Sequence, residues 1–273
     1  MRSNNPVLTK LRPQQASGGY YQGGHQGLDG FGGYGQPAPS AAQAERPMTV
    51  DDVVTKTGMT LAVIVVFALI NFGLAKAGMV GLAVGLTAVG GIGGFITVLI
   101  ATLGGKSGPV STLIYAAFEG LLVGGISLLL SGWLVGGANA GALIGQAVLG
   151  TLGVFLGMLF VYKTGAIKVT PKFTRFLMGA LIGVVVLSLG NMLLAMFTDA
   201  NPLRDGGILA IIFSLVCIAL AALSFLQDFD AADRLIRAGA PASMAWSVAL
   251  GLAVTLVWLY TEILRFLSYF TQR

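Results

Sequence analysis

The chain has 273 residues, 55% of them apolar and 10% charged, with a mean hydropathy of +0.84. Soluble domains carry about a quarter of their residues charged, so a soluble fold is excluded and an integral membrane protein is expected. The net charge of +5 does not point to nucleic acid, because the basic residues flank apolar runs, an arrangement that suits membrane topology and anionic lipid.

Residues 1–47 are a different material from the rest. "SGGYYQGGHQGLDGFGGYGQPAPSAAQ" is rich in Gly, Gln and Pro with scattered aromatics. It buries too little apolar surface to offset its ordering entropy, which predicts a disordered cytosolic tail. The stretch "PMTVDDVVTKTGM" then reads as a helix start. Thr49 with Asp52 three residues later has capping-box spacing, with Asp in place of the usual Glu. The domain that follows, 48–273, holds seven runs able to span the roughly 30 Å of hydrocarbon. They lie near 59–77, 79–103, 111–133, 140–162, 175–197, 207–227 and 243–268. Helices are the expected solution, since lipid offers no partner to a free N–H or C=O.

With the N-terminus in the cytosol, 12 basic residues face the cytosol and 4 face outward. This positive-inside bias predicts that orientation and, with seven spans, an external C-terminus. Gly81/Gly85, Gly90/Gly94, Gly120/Gly124, Gly153/Gly157 and Gly179/Gly183 have the spacing that lets helix backbones approach closely, which predicts a tight bundle.

The usual enzyme chemistry is missing. His25, the only histidine, lies in the tail, and Cys217, the only cysteine, lies in an apolar run. No span holds a His to activate a serine, and His-Glu-x-x-His and the phosphate-loop pattern are absent. "GGKSG" at 104–108 has no strand before it and reads as a loop. A non-enzyme with no cofactor is expected.

The acids carry the functional signal, because a charge at the bilayer centre costs about 2.5–3.5 kcal/mol on insertion scales. In "LSFLQDFDAADRLIRAGAP", Asp230 reaches Arg234 and Asp233 reaches Arg237 at i,i+4, as expected of a paired helical extension into the cytosol. Asp228 lies nearest the apolar run and has no basic residue on its face. Glu119 sits deep in the third span, as a hydrogen-bonded structural acid or a functional one. Glu262, in "VWLYTEILRFLSYF", reads either as an interfacial residue near Arg265 or as a functional acid.

The ending "LVWLYTEILRFLSYF", the preceding "FDAADRLIRAGAP" and the count of seven spans resemble the Bax inhibitor family. "PMTVDDVVTKTG" with a glycine-rich tail is similar to its actinobacterial YccA-type branch. The resemblance implies a seven-helix bundle with the last helix central, in a bacterial inner membrane. It also implies a pair of carboxylates that share a proton and act as a pH sensor for a calcium leak. Carried over by position, the pair is Asp228, or Asp230, with Glu262. The pair would titrate as a unit and, once deprotonated, could bind calcium through oxygen ligands; Glu119 is a further candidate on an ion path. The last-helix acid is Glu where the family has Asp, and the Asp-Thr-Gln turn reads "DAAD". The segment between the acids is also longer. Counted from a turn at 239–241, Asp228 lies about 16 Å along helix six and Glu262 about 30 Å along helix seven.

Two other functions fit the same sequence. One is a non-conducting membrane protein that modulates another, such as a membrane protease, through its tail or spans. The other is a proton-coupled transporter using Glu119, Asp228 and Glu262.

Overall fold

The computed structural model describes residues 45–105, 107–130, 140–198 and 200–271. The glycine-rich tail through Ala44, Lys106, residues 131–133 of the third expected span, and Arg273 lie outside the described residues. Among the described residues, seven helices are long and apolar enough to cross a membrane. They are α1 (Val50–Lys76), α2 (Val80–Leu103), α3 (Pro109–Leu130), α4 (Ala140–Thr164), α5 (Pro171–Thr198), α6 (Ile208–Arg237) and α7 (Ala245–Thr271). The entry end is the one where α1, α3, α5 and α7 begin, and the opposite end is the far end.

Two helices outrun their apolar segments, for local reasons. Thr49 caps α1: its side chain accepts from Asp52 N–H, and Asp52 Oδ2 accepts from Thr49 N–H at 3.0 Å. The polar start therefore runs unbroken into the first span. At the other extreme, α6 continues ten residues past Gln227, where the apolar run ends. Asp230–Arg234 (2.5 Å) and Asp233–Arg237 pair along that extension, as their spacing predicts. Gly239, at φ 65°, then supplies the left-handed turn that stops the helix.

α7 is the most buried span and α5 the least. α7 packs against α6, α1, α4 and α3, so the last helix is central, while α5 sits at the rim and packs chiefly on α6. Small residues allow this: Ala245, Ala249 and Ala253 on α7 are fully buried. Two of the five glycine pairs make close contacts. A Cβ on Gly90 would lie 2.6 Å from the Phe118 carbonyl oxygen, and one on Gly94 would lie 3.2 Å from Glu119 Oε2. On α3, a Cβ on Gly120 or Gly124 would lie 2.5 or 2.6 Å from the Ile64 or Ala68 carbonyl oxygen of α1. The pairs Gly81/Gly85, Gly153/Gly157 and Gly179/Gly183 instead meet nothing within 4 Å. The spacing alone does not distinguish a contact face from a face open to lipid. Asn71, fully buried on α1, adds a polar tie by donating to Thr87 Oγ1 of α2 (2.9 Å) and to the Leu121 carbonyl of α3 (2.6 Å).

The structured unit begins at Glu45, so the boundary expected after residue 47 falls inside it. Residues 46–48 lie antiparallel beside the α6–α7 connection, with Pro47 opposite Pro241. Met48 enters the core, at 2% exposure, with Phe229, Ala245 and Val248. Composition marks this stretch as tail; the backbone pairing that captures it comes from residues almost two hundred positions away.

Candidate functional site

α6 and α7 are joined by a short turn: Gly239, Pro241 and a 3-10 turn over Ala242–Met244. α7 therefore starts immediately after the turn, with Trp246 and Ser247 already helical. No break or offset brings the middle of α6 to the far end of α7. Asp228, on α6, faces the first half of α7. Its Oδ2 accepts from Thr255 Oγ1 at 2.7 Å. Its Oδ1 lies 3.9 Å from the position a Cβ on Gly251 would take, so the carboxylate faces this turn of α7. Phe225 and Phe229 near it on α6, and Leu252 and Leu256 near Thr255 on α7, belong to one buried apolar cluster. Among the described residues Asp228 makes no ion pair, as its sequence neighbours led us to expect.

Glu262 lies elsewhere. Its Oε1 is 2.5 Å from Arg265 Nη1, and the side chains are 7% and 14% exposed. Ser214 Oγ of α6 donates to Oε2 over a long 3.4 Å. Glu262 is therefore buried toward the far end of α7 and paired with Arg265, the neighbour its spacing offered. Arg204, from the α5–α6 connection, is electrostatically coupled to the same two residues. Its guanidinium pKa is lowered, first by desolvation and then by the Arg265 charge.

The structure does not bring Asp228 and Glu262 together. Thr255, the partner of Asp228, precedes Glu262 by seven residues, about 10 Å along α7. Ser214, the α6 residue at Glu262, precedes Asp228 by fourteen, about 21 Å. The expected shared proton and shared calcium site thus give way to two separate contacts. The reason is the register set by the short turn, which matches the 16 Å and 30 Å counts from sequence. Asp230 does not substitute for Asp228, since it pairs with Arg234. Asp233 does more than solvate the helix end: the Tyr162 hydroxyl of α4 also donates to its Oδ2, at 3.0 Å.

Glu119 stands on α3 against Gly94 of α2, with Tyr115 one turn earlier on the same face of the helix. Ten residues separate it from the start of α3, about 15 Å of rise. Tyr115 is buried beside Leu250 and Ala253 of α7. Among the described residues no three or more His, Cys, Asp or Glu side chains converge as metal ligands would. Sequence reasoning missed Thr255 and Ser214, which have no signal in a span except as hydroxyls among apolar residues.

A search of curated proteins finds no match to the chain. A sequence model described as Bax inhibitor 1 like matches residues 5–272. That covers nearly the whole chain, and the seven spans packed around a central last helix are the arrangement the resemblance implies. The chain is a multi-pass membrane protein and belongs to the Bax inhibitor 1 like family.

Proposed function

We propose that the chain conducts a pH-sensitive cation leak, with calcium as a permeant ion, controlled by Asp228 at the α6–α7 contact. The observation that carries the reading is a carboxylate set between two packed helices in apolar surroundings, with a neutral hydroxyl as its partner. Protonated, the side chain is a neutral acid that the Thr255 hydroxyl matches, and the helices stay packed. Deprotonated, the charge at an apolar contact draws in water or a hard cation and works against that packing. Calcium takes six to eight oxygen ligands, whereas this contact offers one carboxylate and one hydroxyl. It suits an ion in passage rather than a stored one. Glu119, against the α2 glycine face, is the second acid on the path. Glu262 is charge-paired with Arg265 on its own helix and is not part of the switch.

The test is calcium-dye flux into liposomes, followed from acid to neutral pH. Wild-type flux should rise as protons leave. Asp228→Asn should remain at the low level throughout. Asp230→Asn and Asp233→Asn should keep the wild-type profile, because each acid is paired with an arginine one turn on, and an Asn at 233 still accepts from the Tyr162 hydroxyl. A pH response that survives Asp228→Asn rejects the assignment. Absence of any wild-type flux rejects the leak and favours a non-conducting protein that modulates another, such as a membrane protease. Saturable, solute-driven uptake would instead identify a transporter.

A further inference from the structure

Glu45–Met48 and the α6–α7 turn are joined by more contacts than a chain merely passing by would make. Pro47 and Pro241 face each other in an antiparallel bridge. Met48 N–H donates to the Ala240 carbonyl at 2.7 Å, and Ala242 N–H donates to the Arg46 carbonyl at 3.0 Å. These bonds flank the prolines, so each proline occupies the non-hydrogen-bonded position, where its missing N–H is not needed. Glu45 adds a two-pronged contact, accepting the Ser243 N–H and the Ser243 hydroxyl, each at 2.7 Å. From α1, Lys56 Nζ donates to the Ala242 carbonyl at 2.5 Å and lies 5.7 Å over the Trp246 ring. Arg46 grips Asp52 in the first turn of α1 with both guanidinium nitrogens, at 2.8 and 2.6 Å.

The turn so held is the element that sets the register of α6 on α7, and that register puts Thr255 opposite Asp228. We propose that Glu45–Met48 is a latch on the α6–α7 turn. Closed, it fixes the register and keeps the Asp228–Thr255 contact made. A pull on the chain preceding Glu45 draws it off, frees the turn and loosens that contact. A force on the chain ahead of Glu45 thereby acts on α6 and α7 through their connecting turn. The control of flux rests on the reading of Asp228 above; the mechanical latch does not.

Two variants of the full chain test it. Glu45→Ala removes both bonds to Ser243. Pro47→Cys with Pro241→Cys, in a Cys217→Ala background, places two thiols on directly opposed residues of an antiparallel pair, at the separation a disulfide needs. Oxidised and reduced forms of this one protein then compare a locked latch with a free one. Hydrogen exchange over residues 239–255 and calcium-dye flux are both read. The expected result is amide exchange faster by about threefold or more in Glu45→Ala, the change one lost hydrogen bond gives. Flux should be higher than wild type in that variant and lower in the oxidised form than in the reduced one. Unchanged exchange in Glu45→Ala together with equal exchange in oxidised and reduced forms overturns the latch. Exchange that responds while wild type itself conducts nothing supports the latch and rejects the leak. Exchange that responds while a measurable flux ignores the redox state overturns the coupling.

Discussion

Glu262→Gln removes a charge but almost no volume, so its effect isolates the ion pair. In the structure Glu262 Oε1 sits 2.5 Å from Arg265 Nη1, with the side chains only 7% and 14% exposed. Breaking a buried pair by removing one partner costs about 3–5 kcal/mol, because the remaining charge stays buried without compensation. Arg265 would be left with Arg204 as its charged neighbour, which repels it and does not lower that figure. At about 2–4 °C per kcal/mol for a chain of this size, the melting temperature in detergent or nanodiscs should fall by roughly 6–20 °C. Replacing the pair by Glu262→Met with Arg265→Met should avoid most of the loss, since exchanging a buried pair for apolar side chains is often neutral or stabilising. A loss under about 1 kcal/mol, the range of exposed pairs, would show that the bridge is not structural. A flattened pH response at unchanged stability would make Glu262 a sensor and undo its separation from Asp228.

Two further outcomes follow from the packing and the charges. Gly120→Val should destabilise strongly, by about 1–3 kcal/mol or more as overpacking does, because its new side chain would meet the Ile64 carbonyl. Gly179→Ala, in open space on α5, should stay within about 0.5 kcal/mol; equal losses at the two sites in thermal unfolding would refute the assignment of contact faces. Reporter fusions at the two ends should place the N-terminus in the cytosol and the C-terminus outside, as the 12-to-4 basic asymmetry requires; finding both ends on one side would contradict an odd number of spans.

Hydropathy and covalent chemistry alone determined the class of this protein. Seven apolar runs of spanning length leave no fold but helices in lipid, and Thr49–Asp52, Asp230–Arg234 and Asp233–Arg237 are local pairs whose spacing suffices. The lack of a local cation for Asp228 was legible for the same reason: i±4 neighbours lie within reach in any helix. What lay across helices was not legible. Which glycine pairs meet a neighbour, and which face open space, depends on the rotation of each helix about its axis, and all five pairs share one spacing. The partner of Asp228 depends on the register of α6 against α7, which the turn at Gly239–Met244 sets, and it is Thr255 rather than Glu262; Glu262 pairs with Arg265 three residues on in its own helix, as spacing allowed, and only its contact with Ser214 crosses helices. Capture of Glu45–Met48 by Ala240–Ser243 joins segments about two hundred residues apart. Only the tertiary structure could decide it, because backbone pairing between distant strands leaves no mark in the composition of either.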